Sequence, residues 1–524
     1  MQSLNKHRNL FFLAASVAVL AGCGAEEIAS PGTGGNVSIT NVTPAPPPPP
    51  PPPVSTLVTA AAGCPTIEND PGLKDLGTIT GPTGTYRNCE LPARFTRSST
   101  LPRVPGLLYS LGGRVDVGVD NGPTARTGET VVTLTLQPGV VVYGSTGVSW
   151  LHVNRGNRIN AAGTATQPIV FTSRDNILGL NTDLSQGQWG GIVLSGRAPI
   201  TDCLVPNAPP GTAQCERQVE GAVDPALYGG ATPTDNSGTL RYVQIRYSGY
   251  VLSGNSELQA LTTGGVGSGT TIQYVQSHNS SDDAVEFFGG THDAKWLVFT
   301  GADDDNLDLD TGFRGRIQYV IAVQKDNNGD SMLELDSANA LEDQTPRTFA
   351  KISNFTFVHR NSISNTAAML FRGQADASLV NGVVTTPIAC LRLNGSNIIG
   401  TNAAVDKIGP PVFRSVVMQC GATAFVGTGG LTADQVATAF GSGSNNNTST
   451  FTASLSGGFI NGANETARTA TDPKTIDAGF DTTTYVGAVK DANDTWYQGW
   501  TCNSATASLG ASNSACSSVP RIVQ

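Results

Sequence analysis

From Val131 onward, apolar and polar positions alternate in short runs broken by Gly, Asn and Asp. Val131-Val132-Thr133-Leu134-Thr135-Leu136 is followed by Gly139-Val140-Val141-Val142-Tyr143-Gly144. Ser149-Trp150-Leu151-His152-Val153, Arg158-Ile159-Asn160-Ala161 and Pro168-Ile169-Val170-Phe171-Thr172 continue the design. A period of two with β-branched and aromatic residues predicts half-buried strands, and frequent turn residues fit a sandwich, a barrel or a solenoid. Internal repetition decides among these. Asp282/Asp304, Asp283/Asp305, Val285/Leu307, Glu286/Asp308 and Gly290/Gly312 are each 22 residues apart, and Leu333-Glu334-Leu335-Asp336 repeats Leu307-Asp308-Leu309-Asp310 at 26. The four extra residues fall in the loop Asp326-Asn327-Asn328-Gly329-Asp330. One such repeat is one coil of a parallel β-helix, which buries its apolar positions only by stacking on its neighbours. The expected fold class is therefore all-β, a right-handed parallel β-helix solenoid over 131–425. An N-terminal cap region spans 61–130, and an irregular C-terminal capping region spans 426–524. Within the latter, Leu431 to Phe440 has helical spacing behind a Thr432 cap. The Trp496–Trp500 segment is expected to cover the open end of the solenoid.

The run Leu136-Gln137-Pro138-Gly139-Val140-Val141-Val142, then Ile159 to Thr164, Gln167 to Thr172, and Gln188-Trp189-Gly190-Gly191-Ile192-Val193-Leu194-Ser195-Gly196 resembles the opening coils of right-handed β-helix (pectin-lyase-like) surface lipoproteins. Tyr485 to Val489 and Trp496 to Thr501 are similar to the ends of such proteins, so the likeness covers roughly residues 110–510. The resemblance implies an exported protein. It also implies a neighbouring outer-membrane TonB-dependent receptor as a partner in nutrient capture.

Charged residues are only 14% of the chain, while Gly and Pro number 61 and 31. That excludes a helix bundle or coiled coil, which needs abundant Ala, Glu, Lys and Leu. With 31 basic against 41 acidic side chains the net charge is −10, and no basic run lies beyond the N-terminus. Nucleic acid is not an expected partner. Lys6, His7 and Arg8 precede the apolar run Leu10 to Leu20, which is too short to span a bilayer of roughly 20 helical residues. It ends in Leu20-Ala21-Gly22-Cys23, which resembles a bacterial lipobox at every position. The resemblance implies a signal peptide at 1–22 and acylation of Cys23, with palmitate among its chains, for membrane anchoring. With Gly at residue 24, nothing resembles an inner-membrane retention signal, so a lipid-anchored outer-membrane location at the cell surface is expected. Residues 23–60 then form a stalk, stiffened by the polyproline run Pro46 to Pro53.

Eight further cysteines remain, an even number suited to four disulfides in an exported chain. They fall into neighbouring couples, Cys64 with Cys89, Cys203 with Cys215, Cys390 with Cys420, and Cys502 with Cys516. Local pairing is expected, and no metal-type cysteine spacing occurs.

Alternation places Leu307 and Leu309 inside the solenoid and Asp308 and Asp310 outside. The same logic turns Glu286, Glu334 and Asp336 outward, and Asp283 and Asp305 stack at the preceding turn beside Asp282 and Asp304. Coils about 4.8 Å apart bring these carboxylates into columns. Oxygen ligands at such density suit Ca²⁺, which takes six to eight. The alternative is a solvated acidic surface whose Asp and Asn residues close Asx turns.

Right-handed β-helices often carry polysaccharide lyases and polygalacturonases, so catalysis needs its own test. Asp282-Asp283 matches one polygalacturonase element, but Gly290-Thr291-His292-Asp293 and Arg316-Ile317-Gln318 depart from the others. A lyase would pair cation-binding carboxylates with a basic side chain that removes a proton beside a carboxylate, for which Arg314, Arg316, Lys295 and Lys325 are eligible. The four histidines beyond the leader (His152, His278, His292 and His359) are scattered and read as surface or satisfied imidazoles. Phe288, outward by alternation, is the best single aromatic for a ligand contact. The expected function is a non-catalytic binding or interaction role, in glycan or nutrient capture. The alternative is a Ca-dependent lyase or hydrolase acting on acidic glycans.

Overall fold

The computed structural model describes residues 57–253, 256–337, 341–364 and 366–523. The signal segment, Cys23 and the proline stalk lie outside the described residues. Among those described, no helix is long and apolar enough to cross a membrane.

Two long sheets of 15 and 11 strands run side by side, and within each the neighbours come from successive coils. In the 11-stranded sheet, Gly191–Ser195, Leu261–Gly264, Val285–Phe288, Asp308–Asp310, Leu333–Leu335 and Met369–Phe371 stack in parallel. Glu286 pairs with Asp308 and Asp308 with Glu334, so the repeats of 22 and 26 residues are single turns of a parallel β-helix. Val285, Leu309, Leu335 and Phe371 point inward and are buried in one continuous core. Each such side chain contributes roughly 1.5–3 kcal/mol only because a neighbouring coil covers it.

The other sheet turns a corner within its strands. In an early coil Arg158–Ala162 and Ile169–Ser173 are separate, but both pair with the one long strand Gly238–Arg246. A single residue with positive φ makes the corner there, Tyr242 at 51°. The equivalent residues above it are Tyr274 (54°), Trp296 (59°), Tyr319 (65°), Asn354 (53°), Asn381 (56°) and Ser415 (53°). Left-handed backbone costs a side-chain-bearing residue about 1–2 kcal/mol, with Asn tolerated best. The aromatic corners recover part of this by stacking, with ring centroids 4.3 Å apart for Tyr242–Tyr274, 4.5 Å for Tyr274–Trp296 and 5.6 Å for Trp296–Tyr319.

Parallel coiling begins earlier than residue 131. Gly84–Glu90 already pairs in parallel with Leu107–Leu111, and its antiparallel partner Lys74–Gly81 closes that end. At the other end the helix Ala433–Phe440 forms with Thr432 as its cap and packs Phe440 against Phe413 and Phe425 of the last coil. The Trp496–Trp500 segment is not the cover expected of it. Residues after 441 instead run back along the outside of the bent sheet toward the first coil. Asn381 Nδ2 donates to the Thr471 carbonyl at 2.8 Å, and Asn354 Nδ2 to that of Tyr485 at 3.0 Å. Gln276 Nε2 reaches Cys502 at 3.1 Å, Arg246 Nη1 reaches Cys516 at 2.9 Å, and Gly106 donates to Ile522 at 2.9 Å. Trp500 stands edge-on to Tyr242 and Tyr274, so the tail buries the aromatic corner rather than the solenoid's end. The four disulfides are those of the local pairing, Cys64–Cys89, Cys203–Cys215, Cys390–Cys420 and Cys502–Cys516.

Candidate metal centre

The outer face of the 11-stranded sheet carries a ladder of carboxylates. Strand register sets Glu286, Asp308 and Glu334 on top of one another, while the turns before those strands add Asp282 and Asp283, then Asp304 and Asp305, then Asp330. Four overlapping triads have ligand atoms all within 4.8 Å of one another: Asp282/Asp283/Asp304, Asp283/Glu286/Asp308, Asp304/Asp305/Asp330 and Asp305/Asp308/Glu334.

The ladder is only partly the solvated surface that alternation alone suggests. Asp304 is exposed and Asp282, Asp308 and Asp330 are half-buried, but the remaining members are covered. Asp283, Glu286, Asp305 and Glu334 are all at most 7% exposed. Asp308 Oδ1 is buried with no hydrogen-bond partner, which costs free energy unless a cation or a proton supplies one. Burial, followed by the neighbouring carboxylates, pushes Asp283, Glu286, Asp305 and Asp308 well above the ordinary carboxylate range, and Asp282 up to about 7. The turn-closing role is also present. Asp283 Oδ1 accepts the Asp305 amide at 2.8 Å, and Asp305 Oδ1 accepts that of Ser331, so each turn carboxylate braces the next coil.

Two of the nominated ligands stand apart. Asp336 is paired to Arg372, Nε to Oδ2 at 2.7 Å, and Arg372 also meets Glu334. Asp310 Oδ1 accepts the Thr311 amide, and among the described residues Asp310 joins none of the triads. Asp330 takes a place that strand alternation could not assign, since it sits in a loop. Its spacing of 26 from Asp304 nevertheless matches that of Asp308 and Glu334. Arg372, which neutralises the far end of the ladder, carried no repeat signal.

Phe288 corrects the reading given to it. It does leave the outer face of the sheet, but at 9% exposure it is packed among Trp150, Val193, Ile200 and Tyr228 under the insertion that follows Ser195. It presents no ring to a ligand. The four eligible bases also disperse. Lys295 pairs with Asp481 at 2.9 Å and Arg316 with Asp477 at 3.0 Å, both on the tail side of the bent sheet. Arg314 meets Asp406 at 3.5 Å, and Lys325 Nζ donates to Gln186. Arg372, the cation at the ladder, is held protonated by Glu334 and Asp336 against the opposing effect of burial. His278 and His292 are fully buried, pushed down to about 3 and about 4 by desolvation.

Beside the Asp304/Asp305/Asp330 triad opens a cleft of about 690 Å³ lined by Asp303, Asp304, Asn328, Asp330, Ser364 and Arg392, among others. The strip thus has an open, polar flank at which a ligand could meet a bound cation.

No curated protein and no solved structure matches the chain. A family model described as a pectate-lyase-like beta helix domain matches residues 125–501, which spans both the stacked coils and the returning tail. With more than half of its length matched, and with the parallel coils to match, the chain belongs to the pectate-lyase-like β-helix family.

Proposed function

We propose that this protein is a non-catalytic binding protein that holds Ca²⁺ along the carboxylate ladder and uses it to engage an acidic glycan. The observation that carries the reading is the set of four overlapping carboxylate triads, with Asp308 Oδ1 buried and unpartnered at their centre. Hard oxygen donors in this number suit Ca²⁺ better than Mg²⁺, which keeps much of its own water. A cation there offsets the like-charge repulsion and leaves coordination positions for a ligand's carboxylate. A lyase reading requires a basic side chain poised over the cation. Lys295, Arg314, Arg316 and Lys325 are engaged elsewhere and Arg372 is tied to Glu334 and Asp336. Arg392 in the flanking cleft is then the base that reading would use. The lipobox-like Leu20-Ala21-Gly22-Cys23 and the proline run support display from the outer membrane, in the service of a TonB-dependent uptake system.

The test is calorimetric titration of the metal-stripped full chain with CaCl₂, beside an Asp308→Asn/Glu334→Gln variant. Binding that the variant loses supports the reading, and no heat at millimolar Ca²⁺ removes it. Incubation with polyuronates then separates the roles. Calcium-dependent retention without new ultraviolet absorbance supports binding, whereas unsaturated products would replace it with lyase chemistry.

A further inference from the structure

Three coils on the same outer face bring Asp116, His152 and Ser195 into one hydrogen-bonded line. Asp116 and His152 are in-register neighbours on adjacent strands, and Ser195 belongs to the strand after them. His152 Nδ1 lies 3.1 Å from Asp116 Oδ1, and His152 Nε2 lies 2.9 Å from Ser195 Oγ. Arg114 Nη2 is also 3.1 Å from His152 Nδ1. Nη2 also donates to the Pro225 carbonyl at 2.9 Å, while Arg114 Nε donates to Asp116 Oδ1 at 3.0 Å. With the Nδ1 proton directed at Asp116, Nε2 accepts the Ser195 hydroxyl proton. With Arg114 Nη2 donating to Nδ1, Nε2–H would instead donate to Ser195, and labelling that depends on His152 distinguishes the two tautomers. Burial lowers the His152 pKa and keeps the ring neutral. Burial works to raise Asp116, but the hydrogen bond from His152 and the Arg114 charge hold it below the ordinary carboxylate range. The other charged groups facing this line are Arg94, which pairs with Asp116 at 3.0 Å, and Asp120.

The line is roofed by an insertion stapled by Cys203–Cys215 and folded into the hairpin Arg217–Gln218/Leu227–Tyr228. The Tyr228 ring lies over Gly264, the residue paired with Ser195. Arg114 holds the roof by its Asp224 and Pro225 carbonyls, and Arg155 holds it by Glu216 at 2.5 Å. At the edge of the roof is a cavity of about 180 Å³ lined by Arg114, Val148, Trp150, Val223, Asp224 and Leu252. The Trp150 ring, 5.3 Å from that of His152, separates the cavity from the line.

We propose that Ser195, with His152 as general base and Asp116 as its positioning residue, is a covered nucleophile for carboxylic esters, reached when the 202–228 roof lifts. Ser195 Oγ bonds to the ester carbonyl carbon while His152 Nε2 takes the hydroxyl proton. The carbon–oxygen bond to the alcohol breaks, and the alcohol leaves with that proton. Water, deprotonated by His152, then releases the acid and restores Ser195. The activity is independent of the carboxylate ladder.

The full chain is treated with an alkyl fluorophosphonate and the modified residue located by peptide mass spectrometry, beside Tyr228→Ala, which thins the roof over Gly264, the strand partner of Ser195. Ser195 is modified in the wild type and faster in Tyr228→Ala, while the neighbouring buried Ser237 is not. His152→Gln slows labelling by about 100-fold or more. Asp116→Asn moves the pH inflection of labelling downward, because the carboxylate raises the imidazole's pKa. Absence of label on Ser195 in both the wild type and a folded Tyr228→Ala overturns the proposal. So does labelling that His152→Gln leaves unchanged, since the line would then be structural.

Discussion

Replacing Asp308 by Asn removes the charge at the centre of the ladder, where it is in register with Glu286 on one side and Glu334 on the other. Unit charges one strand spacing apart, about 4.8 Å, repel by about 3 kcal/mol at an effective dielectric near 20. Protonation relieves part of this, because burial and the neighbouring charges raise Asp308 and Glu286 well above their ordinary range. Without metal at pH 8, the variant is therefore expected to be more stable than the wild type, by about 1–3 kcal/mol. Calcium reverses the order. At about 100 times its dissociation constant a bound ion adds about 2.7 kcal/mol. Asp308 belongs to two of the four triads, so the variant gains far less. Urea unfolding of both proteins, in EDTA and in saturating CaCl₂, reads all four stabilities. A variant weaker than the wild type in EDTA would refute the buried-repulsion account. An equal calcium gain in both proteins would refute the cation account.

The metal-free wild type should lose stability as the pH rises from about 4 toward 7 and beyond. Its carboxylates are raised in the folded state, Asp282 to about 7, so folding binds protons that are progressively lost. Saturating calcium flattens this slope, and a pH series of urea midpoints checks it. Arg372→Gln should tighten calcium binding several-fold, because it removes the charge that competes for Glu334, and calorimetry measures the change. Trp500→Ala should cost about 3–5 kcal/mol by emptying a fully buried site against Tyr242 and Tyr274. It should also expose the tail to limited proteolysis while the coils stay resistant. Gly238→Ala should destabilise by at least about 1 kcal/mol, since φ is 113° and a Cβ would meet the Ile159 carbonyl oxygen at 1.9 Å. Thermal melting tests it.

The coil was legible because one turn of a β-helix imposes its length on the sequence. Asp282 over Asp304 and Glu286 over Asp308 repeat at 22 because their strands pair in register, and the loop 326–330 lengthens the next turn to 26 without disturbing that register. Alternation likewise fixed which side chains leave each strand outward. It could not say what lies over them, because covering segments pack by length and local chemistry rather than by period. Phe288 and Glu286 are both outward and both nearly inaccessible for that reason. The returning tail left a trace of a different kind. Tyr274, Trp296 and Tyr319 recur at 22 and 23 residues, and Asn354 and Asn381 at 27, in positions where an inward-facing strand residue would be aliphatic. Large aromatics and asparagines holding one column mark a corner whose backbone and side chains need an external partner. Asn354 donates to the Tyr485 carbonyl and Asn381 to that of Thr471, and the Tyr274 ring meets Trp500. A polar or aromatic column outside the apolar period is thus itself evidence that a further segment lies along the solenoid's flank. For the acidic column the chain supplies one such partner, Arg372 against Glu334 and Asp336, and the proposed cation would serve the Asp283, Glu286 and Asp308 end.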